Sequence, residues 1–215
     1  NIQFTTNNMI VEIQSKGAEI NTLLLSEFEN YDDLPIPMIK NENSKFNVSL
    51  YTRDGRVLNT RDFYFKTSIS EKDDEFVVSL KSSISKGMYV VFKYIFPKNG
   101  YMFKVNFKSV GMESLLDNNQ PPKINWSTNV FRNSRSIDYE NRYTELTFGY
   151  EDDRVDYLSL SGDDEEDREN IRWISYRQHF FSAILIPESS IKSVKLKSKD
   201  LSGDQVSEEK FTKYF

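Results

Sequence analysis

The sequence predicts an all-β protein, an antiparallel sandwich with few short helices. Three observations predict it. Apolar residues alternate with polar ones over many short runs, which is the period of a strand with one buried face. Clusters of Gly, Pro and Asn punctuate the runs at turn spacing. Between the runs the sequence lacks the amphipathic helical stretches that parallel βαβ units require.

The elements follow in chain order. Met9, Val11 and Ile13 share one face of a first strand, and Ile20 to Leu25 forms a second beyond a turn at Gly17. Phe46, Val48 and Leu50 precede a turn at Asp54-Gly55, and Phe76, Val78 and Leu80 make a short strand. Met88, Val90, Phe92, Tyr94 and Phe96 alternate with Tyr89, Val91, Lys93 and Ile95. With few polar residues on either face, that strand belongs in the middle of a sheet. Pro97-Lys98-Asn99-Gly100 then reads as a hairpin turn, because Pro presets φ and Gly accepts a positive one. Tyr101, Phe103, Val105 and Phe107 form the inward face of the returning strand. Pro121-Pro122 precedes a strand of Ile124, Trp126, Thr128 and Val130, a position where proline interrupts no ladder. Trp173 to Ile186 reads as one long strand bent near Arg177, and alternation turns both Trp126 and Trp173 inward. Helical signals are confined to Ser114–Asp117 and to the last residues. There Phe211, Tyr214 and Phe215 fall at helical spacing behind a cap at Asp204 or Ser207.

The chain has 215 residues, and no repeat or low-complexity linker divides it, so residues 1–215 read as one domain. With Cys 0 there is no disulfide, thiol nucleophile or thiolate metal site. The formal net charge of −5 argues against nucleic acid, whose phosphates call for a basic footprint. Lys192 to Lys199 alternates with Val194 and Leu196, the pattern of a wet sheet face. No stretch is long and apolar enough to span a bilayer. Both ends read as cuts from a longer protein.

Candidate chemistry is weak everywhere. His179 is the lone histidine, and no serine or cysteine motif or second metal-binding histidine accompanies it. Packing in a strand is its simpler role. The run Asp163 to Asp167 lacks the alternating ligands and spacers of a calcium loop, so it reads as a mobile surface loop, and Glu151-Asp152-Asp153 as a turn. Aromatic residues make up 14% of the chain. Aromatics stack on sugars and bases, but they are also what strands prefer in a core. Phosphate-cradling glycine loops and nucleophile elbows are missing. No residue is therefore assigned a catalytic, cofactor or metal role, and no binding surface is located.

One stretch carries a resemblance. Trp173, Gln178, Phe180, Phe181 and Ala183, within Trp173 to Pro187, match a W-x-x-x-x-Q-x-[FY]-F-x-[AST] pattern. That pattern is similar to one in the large periplasmic domain of the bacterial YidC insertase family. Ser15-Lys16-Gly17-Ala18-Glu19-Ile20, Asn59 to Phe65, Phe96 to Val110 and Glu140 to Tyr143 resemble further segments of the family, in the same order. The resemblance implies an antiparallel β-supersandwich related to galactose mutarotase. It implies a domain lying between the first and second membrane spans, on the periplasmic face of the inner membrane. It implies partners: the Sec translocon including SecDF, nascent membrane proteins, and the membrane itself through flanking spans. No residue matches the family's insertion groove, so no site is carried over.

The expected role is a non-enzymatic interaction or spacer domain of an insertase. The alternative is a carbohydrate-binding module or a sugar epimerase on a related sandwich. The epimerase is disfavoured by a single histidine, since such chemistry needs a histidine and a carboxylate in one cleft.

Overall fold

A computed structural model describes residues 1–151, 153–203 and 211–215. Among these residues the chain is all-β with antiparallel pairing throughout and one short α-helix. It divides into two compact units, Asn1–Glu29 with Pro35–Trp126, and Asn30–Leu34 with Ser127–Phe215.

In the first unit, β1 (Ile2–Thr5), β2 (Met9–Ile13), β3 (Ile20–Glu29) and β4 (Pro35–Ile39) form one sheet in sequence order. β5 (Ser44–Tyr51) and β6 (Val57–Asn59) form a hairpin about Asp54-Gly55. β7 (Lys66–Lys72), β8 (Glu75–Ser85), β9 (Met88–Pro97) and β10 (Lys104–Val110) form a second four-stranded sheet, with β9 and β8 central. The two four-stranded sheets meet through aromatics. The Phe4 ring lies 5.1 Å from both Phe76 and Phe96, and such pairs contribute about 0.5–1.5 kcal/mol beyond area burial. Met9, Val11 and Ile13 from β2 and Val90, Phe92, Tyr94 and Phe96 from β9 are buried, as alternation predicts. β10 starts at Lys104 rather than Tyr101, because Phe103 leaves the ladder to stack on Phe96 at 4.4 Å. Residues 114–117 form turns rather than helix, with the amides of Leu115 and Leu116 both donating to the Met112 carbonyl.

β11 (Lys123–Phe131) follows Pro121-Pro122 as expected. In the second unit come α1 (Ile137–Asn141), β12 (Glu145–Tyr150), β13 (Arg154–Tyr157), β14 (Asp164–Arg177), β15 (Ser182–Leu185), β16 (Ile191–Asp200) and β17 (Phe211–Tyr214). The strand order here is β13-β12-β14-β16-β17-β11, with β15 paired to β14 beside this path.

Four sequence expectations are corrected from β11 onward. Trp173 to Ile186 is a hairpin: β14 ends at Arg177, and β15 returns antiparallel against it. The acidic run is mostly strand: Asp164 to Asp167 lie in β14, opposite the lysines of β16. Glu165 faces Lys197 and Asp167 faces Lys195, and Lys195 Nζ sits 2.5 Å from Glu165. Charges that repel along one strand are neutralised across to the next, a pairing visible only once register is known. Phe211–Tyr214 is a strand, paired with both β11 and β16. Its spacing fits a helix, but aromatic and β-branched residues favour a strand when ladders are available on both sides. The Asp204 and Ser207 cap positions lie outside the described residues, as does Asp152. Finally, Trp126 and Trp173 are half-buried rather than core residues. Trp173 lies directly over Gly149, its cross-strand partner, and a Cβ at Gly149 would fall 2.2 Å from the indole nitrogen.

Candidate interaction surface

Four of the five motif segments gather into two places, one in each unit, while Phe96 to Val110 forms the β9–β10 hairpin. In the first unit the turn at Ser15–Ile20 meets the segment Asn59–Phe65. Gly17 and Ala18 both have positive φ, 75° and 56°. A side chain at Gly17 would also meet the Arg61 Cα at 3.2 Å. The Gly17 amide donates to the Phe63 carbonyl at 2.9 Å, and the Phe65 amide donates to the Ser15 carbonyl at 2.8 Å. Buried Tyr94 donates its hydroxyl to the Ala18 carbonyl at 2.7 Å, and burial pushes its phenol well above the usual range. Glu19, 8% exposed, accepts from the Phe46 amide at 3.3 Å; burial raises its carboxyl, with the amide and nearby Lys45 and Arg61 opposing. Asn47 Nδ2 donates to Asn59 Oδ1 at 3.0 Å, and Thr60 Oγ1 accepts from the Val48 amide at 2.9 Å. Polar atoms here are spent on one another. This is a brace that holds two chain segments together.

In the second unit Glu140–Tyr143 meets the tip of the β14–β15 hairpin. Ser136 caps α1 by accepting from the Tyr139 amide at 3.2 Å. Glu140, buried, accepts the amides of Asn133 and Ser134 at 2.8 and 2.9 Å and pins the loop before the helix. Gln178, also buried, donates to the Phe131 carbonyl at 3.0 Å and accepts from Asn133 at 3.3 Å. Its backbone amide closes the hairpin on the Phe181 carbonyl at 2.7 Å. Arg177 forms an ion pair with Glu145 on the neighbouring strand. The motif glutamine thus fixes the hairpin's root, and fixing the root presents the tip.

The tip is aromatic and largely in water. His179 stacks on Tyr143 at 4.5 Å, meets Tyr139 edge-on at 5.3 Å and contacts Phe180 at 3.9 Å. Phe180 is 72% exposed, and Tyr139 and Tyr143 are also exposed. His179 Nδ1 is buried with no hydrogen-bond partner among the described residues. His179 lies in the hairpin bend rather than in a strand as the sequence suggests; it packs against three other rings, and among the described residues no carboxylate is paired with it for general acid–base chemistry. Two further features stand apart from the tip. An open depression of about 420 Å³ in the first unit is lined by Arg53, Asp117, Asn118 and Asn119, but the guanidinium is spent on the carbonyls of Leu116 and Glu113. In the second unit Lys213 is wholly buried, donates to the Leu160 carbonyl at 2.7 Å, and has its ammonium pushed downward by burial. Among the described residues no helix is long and apolar enough to cross a bilayer, and no group of three or more carboxylates or histidines is placed to hold a metal.

The Trp173 to Pro187 pattern assigns no surface by itself, because read as one long strand it hides the reversal after Arg177 that puts Phe180 at a tip and Ser182–Leu185 on a short returning arm.

The class these features define is an all-β domain with buried polar braces and an exposed aromatic tip. The family model for the YidC periplasmic domain matches residues 1–214, and the chain belongs to that family. Among similar proteins, the membrane protein insertase YidC of Bacteroides fragilis is 30% identical over 91% of this chain and 32% of its own length. That of Parabacteroides distasonis is 30% identical over 97% of this chain and 33% of its own. That of Porphyromonas gingivalis is 27% identical over 92% of this chain and 32% of its own. The chain spans about a third of the length of these curated relatives. The family is non-enzymatic and periplasmic, on the periplasmic side of the inner membrane, which removes the sugar-epimerase alternative.

Proposed function

We propose that this chain acts as an interaction or spacer domain within a YidC-type insertase, one β-supersandwich domain carried between the first and second membrane spans of the whole protein. There it assists the insertion and folding of inner-membrane proteins, alone or with the Sec translocon including SecDF. The observation that carries the reading is the family match along residues 1–214, with relatives named as membrane protein insertases. The arrangement of the second unit supports it, because buried Glu140 and Gln178 hold an aromatic tip out in water. Surface aromatics of that kind are enriched where proteins meet partners.

The test is removal of the domain from the full-length insertase, followed by measurement of membrane-protein insertion and of SecDF co-purification. A partial loss in either is expected. Unchanged insertion together with unchanged SecDF recovery would overturn the reading. Calorimetry against a sugar panel addresses the carbohydrate-binding alternative, whose motives are the chain's aromatic richness and the kinship of the sandwich to sugar-binding folds. Heat that disappears in His179→Ala would favour it.

A further inference from the structure

The outer edge of β15 is unguarded. β15 pairs with β14 in the register Ile174↔Leu185, Ser175↔Ile184, Tyr176↔Ala183 and Arg177↔Ser182, and no described residue pairs with its other side. Bonded and non-bonded pairs alternate along an antiparallel ladder. The Gln178 amide bonds the Phe181 carbonyl, so Ala183 and Leu185 continue the bonded set with β14. Ser182 and Ile184 therefore direct their N–H and C=O groups outward, where nothing described receives them.

The side chains along this edge are equally unusual. Phe180, Ser182, Ile184 and Ile186 are exposed while the residues between them are half-buried. Phe180, Ile184 and Ile186 are 72%, 55% and 60% exposed. The solvent face is apolar where alternation normally makes it polar. From Gln178 through Pro187 there is no charged residue. Four other edges carry the usual guards against strand addition: Pro35 and Pro37 in β4, Lys66 and Lys72 in β7, Lys104 and Lys108 in β10, Arg154 and Asp156 in β13. β16, which continues alongside the same strand β14, carries Lys192, Lys195, Lys197 and Lys199. β1 (Ile2–Thr5) and β6 (Val57–Asn59) also end their sheets without a charge or proline, but among the described strands it is β15 that sets a row of exposed apolar side chains on an open edge, beside the aromatic tip.

We infer that the β15 edge is a strand-addition site for an extended, uncharged, apolar segment of another polypeptide. This rests on the insertase reading, and it names the chemistry of what that domain touches. An added strand satisfies the outward groups of Ser182 and Ile184 and lays its alternate side chains beside Ile184, Ile186 and Phe180. A lipid surface would accept the same side chains but leave the backbone groups unpaired in an apolar medium, where nothing replaces their hydrogen bonds to water. A sugar finds the stack already closed, since Tyr143 and His179 cover each other's faces. A second copy of the chain is disfavoured by area. The edge from Ser182 to Ile186 is only about 15 Å long at ~3.3 Å per residue. Pairing along it buries a few hundred Å² per side, roughly, whereas a stable dimer needs more than ~1,000 Å² in total. Contact so small suits brief capture of a passing chain.

The test uses the 215-residue chain and a fluorescein-labelled octapeptide of alternating valine and threonine, read by fluorescence anisotropy. The parent binds it. Ile184→Lys and Ile184→Pro weaken binding at least ten-fold with unchanged thermal melting, because the first adds a guard and the second removes an outward N–H without touching the β14 ladder. The same peptide N-methylated at alternate residues does not bind. Should either variant fail to fold, amide exchange on the parent decides instead, with Ser182 and Ile184 slowing when peptide is added. Equal binding by parent and Ile184→Lys, or unslowed amides, overturns the inference. Binding to phosphatidylglycerol vesicles without binding to peptide overturns it in favour of a membrane contact, and a sedimenting dimer dissolved by Ile184→Lys overturns it in favour of self-association. Insertion by the full-length insertase separates the two readings. If deleting the domain impairs insertion and Ile184→Lys does not, the edge is wrong and the domain's role stands. If the peptide binds and deletion changes nothing, the edge stands and the role fails.

Discussion

The Gly17 brace in the first unit and the Phe180 hairpin in the second spend their polar atoms in opposite ways. In the brace, Glu19, Asn47, Asn59, Thr60 and Tyr94 are partnered inside the protein, and two consecutive residues accept left-handed backbone to make that possible. In the hairpin, only the root is closed in this manner, through Gln178, Asn133 and Glu140. Three residues beyond Arg177 the chain exposes a phenylalanine, and the following strand shows its backbone to water. A satisfied network rigidifies and specifies; it offers nothing to a partner. An unsatisfied edge offers itself and stabilises nothing. The difference teaches that similar motif density along a chain marks two unlike needs, foldedness in one region and availability in the other.

That contrast is open to attack by substitution. The largest effect is expected at the hairpin's foundation, where Gly149→Val drives a side chain into the Trp173 indole and destabilises the chain by about 2–3 kcal/mol by overpacking. Urea midpoints measure it, and a change below 0.5 kcal/mol, roughly the surface norm, would mean Trp173 is free to move away.

Next is Gly17→Val in the brace. A β-branched residue at φ 75°, already 3.2 Å from backbone, is expected to cost about 1–3 kcal/mol. A neutral result would show that the brace tolerates slack and is no stiffer than the hairpin.

A smaller effect is expected at Glu19, and it depends on pH. Its folded carboxyl is raised above the ordinary 4.5, chiefly by burial. Between 4.5 and the raised value the folded chain holds more protons than the unfolded one, so this group's contribution is full below 4.5 and is lost as pH rises through the folded value. Glu19→Gln removes that slope. The variant is expected to gain on the parent as pH is raised from 4.5, in urea titrations at a series of pH values, and a gap that moves the other way would refute the burial argument.

The smallest effect is at the tip. Phe180→Ser is expected to shift stability by less than about 0.5 kcal/mol, since so exposed a ring has little burial to lose. A loss of 2 kcal/mol, about the value of a buried side chain, would move the hairpin into the same category as the brace.

Much of this was legible in the residues. The alternation in β2 and β9 gave their inward faces, and the Pro97 to Gly100 turn gave the β9–β10 reversal because the period-two rule is local; the same rule failed for Ile124 and Trp126 in β11 and for Tyr101 and Val105 near β10, which are exposed or half-buried. The candidate surface was half legible. Trp173 to Pro187 was recognisable as a pattern, but as one bent strand, since Gln178 looks like any polar strand residue until its partners at Phe131 and Asn133 are known. The acidic run was misread for the same reason: five like charges look mobile until Lys195 and Lys197 lie opposite them.

The sequence by itself determined the all-β class, the absence of thiol chemistry, the inward faces of β2 and β9 and, through its motif segments, the family. Those are properties of composition and of neighbours along the chain. Tertiary structure alone decided that Phe211–Tyr214 is strand rather than helix, that Lys213 is buried in it, and that β15 is left with an open edge. Each depends on which strand lies alongside, and hydrogen-bond partners far apart in sequence are chosen by the packing of the whole sheet, which no local window contains.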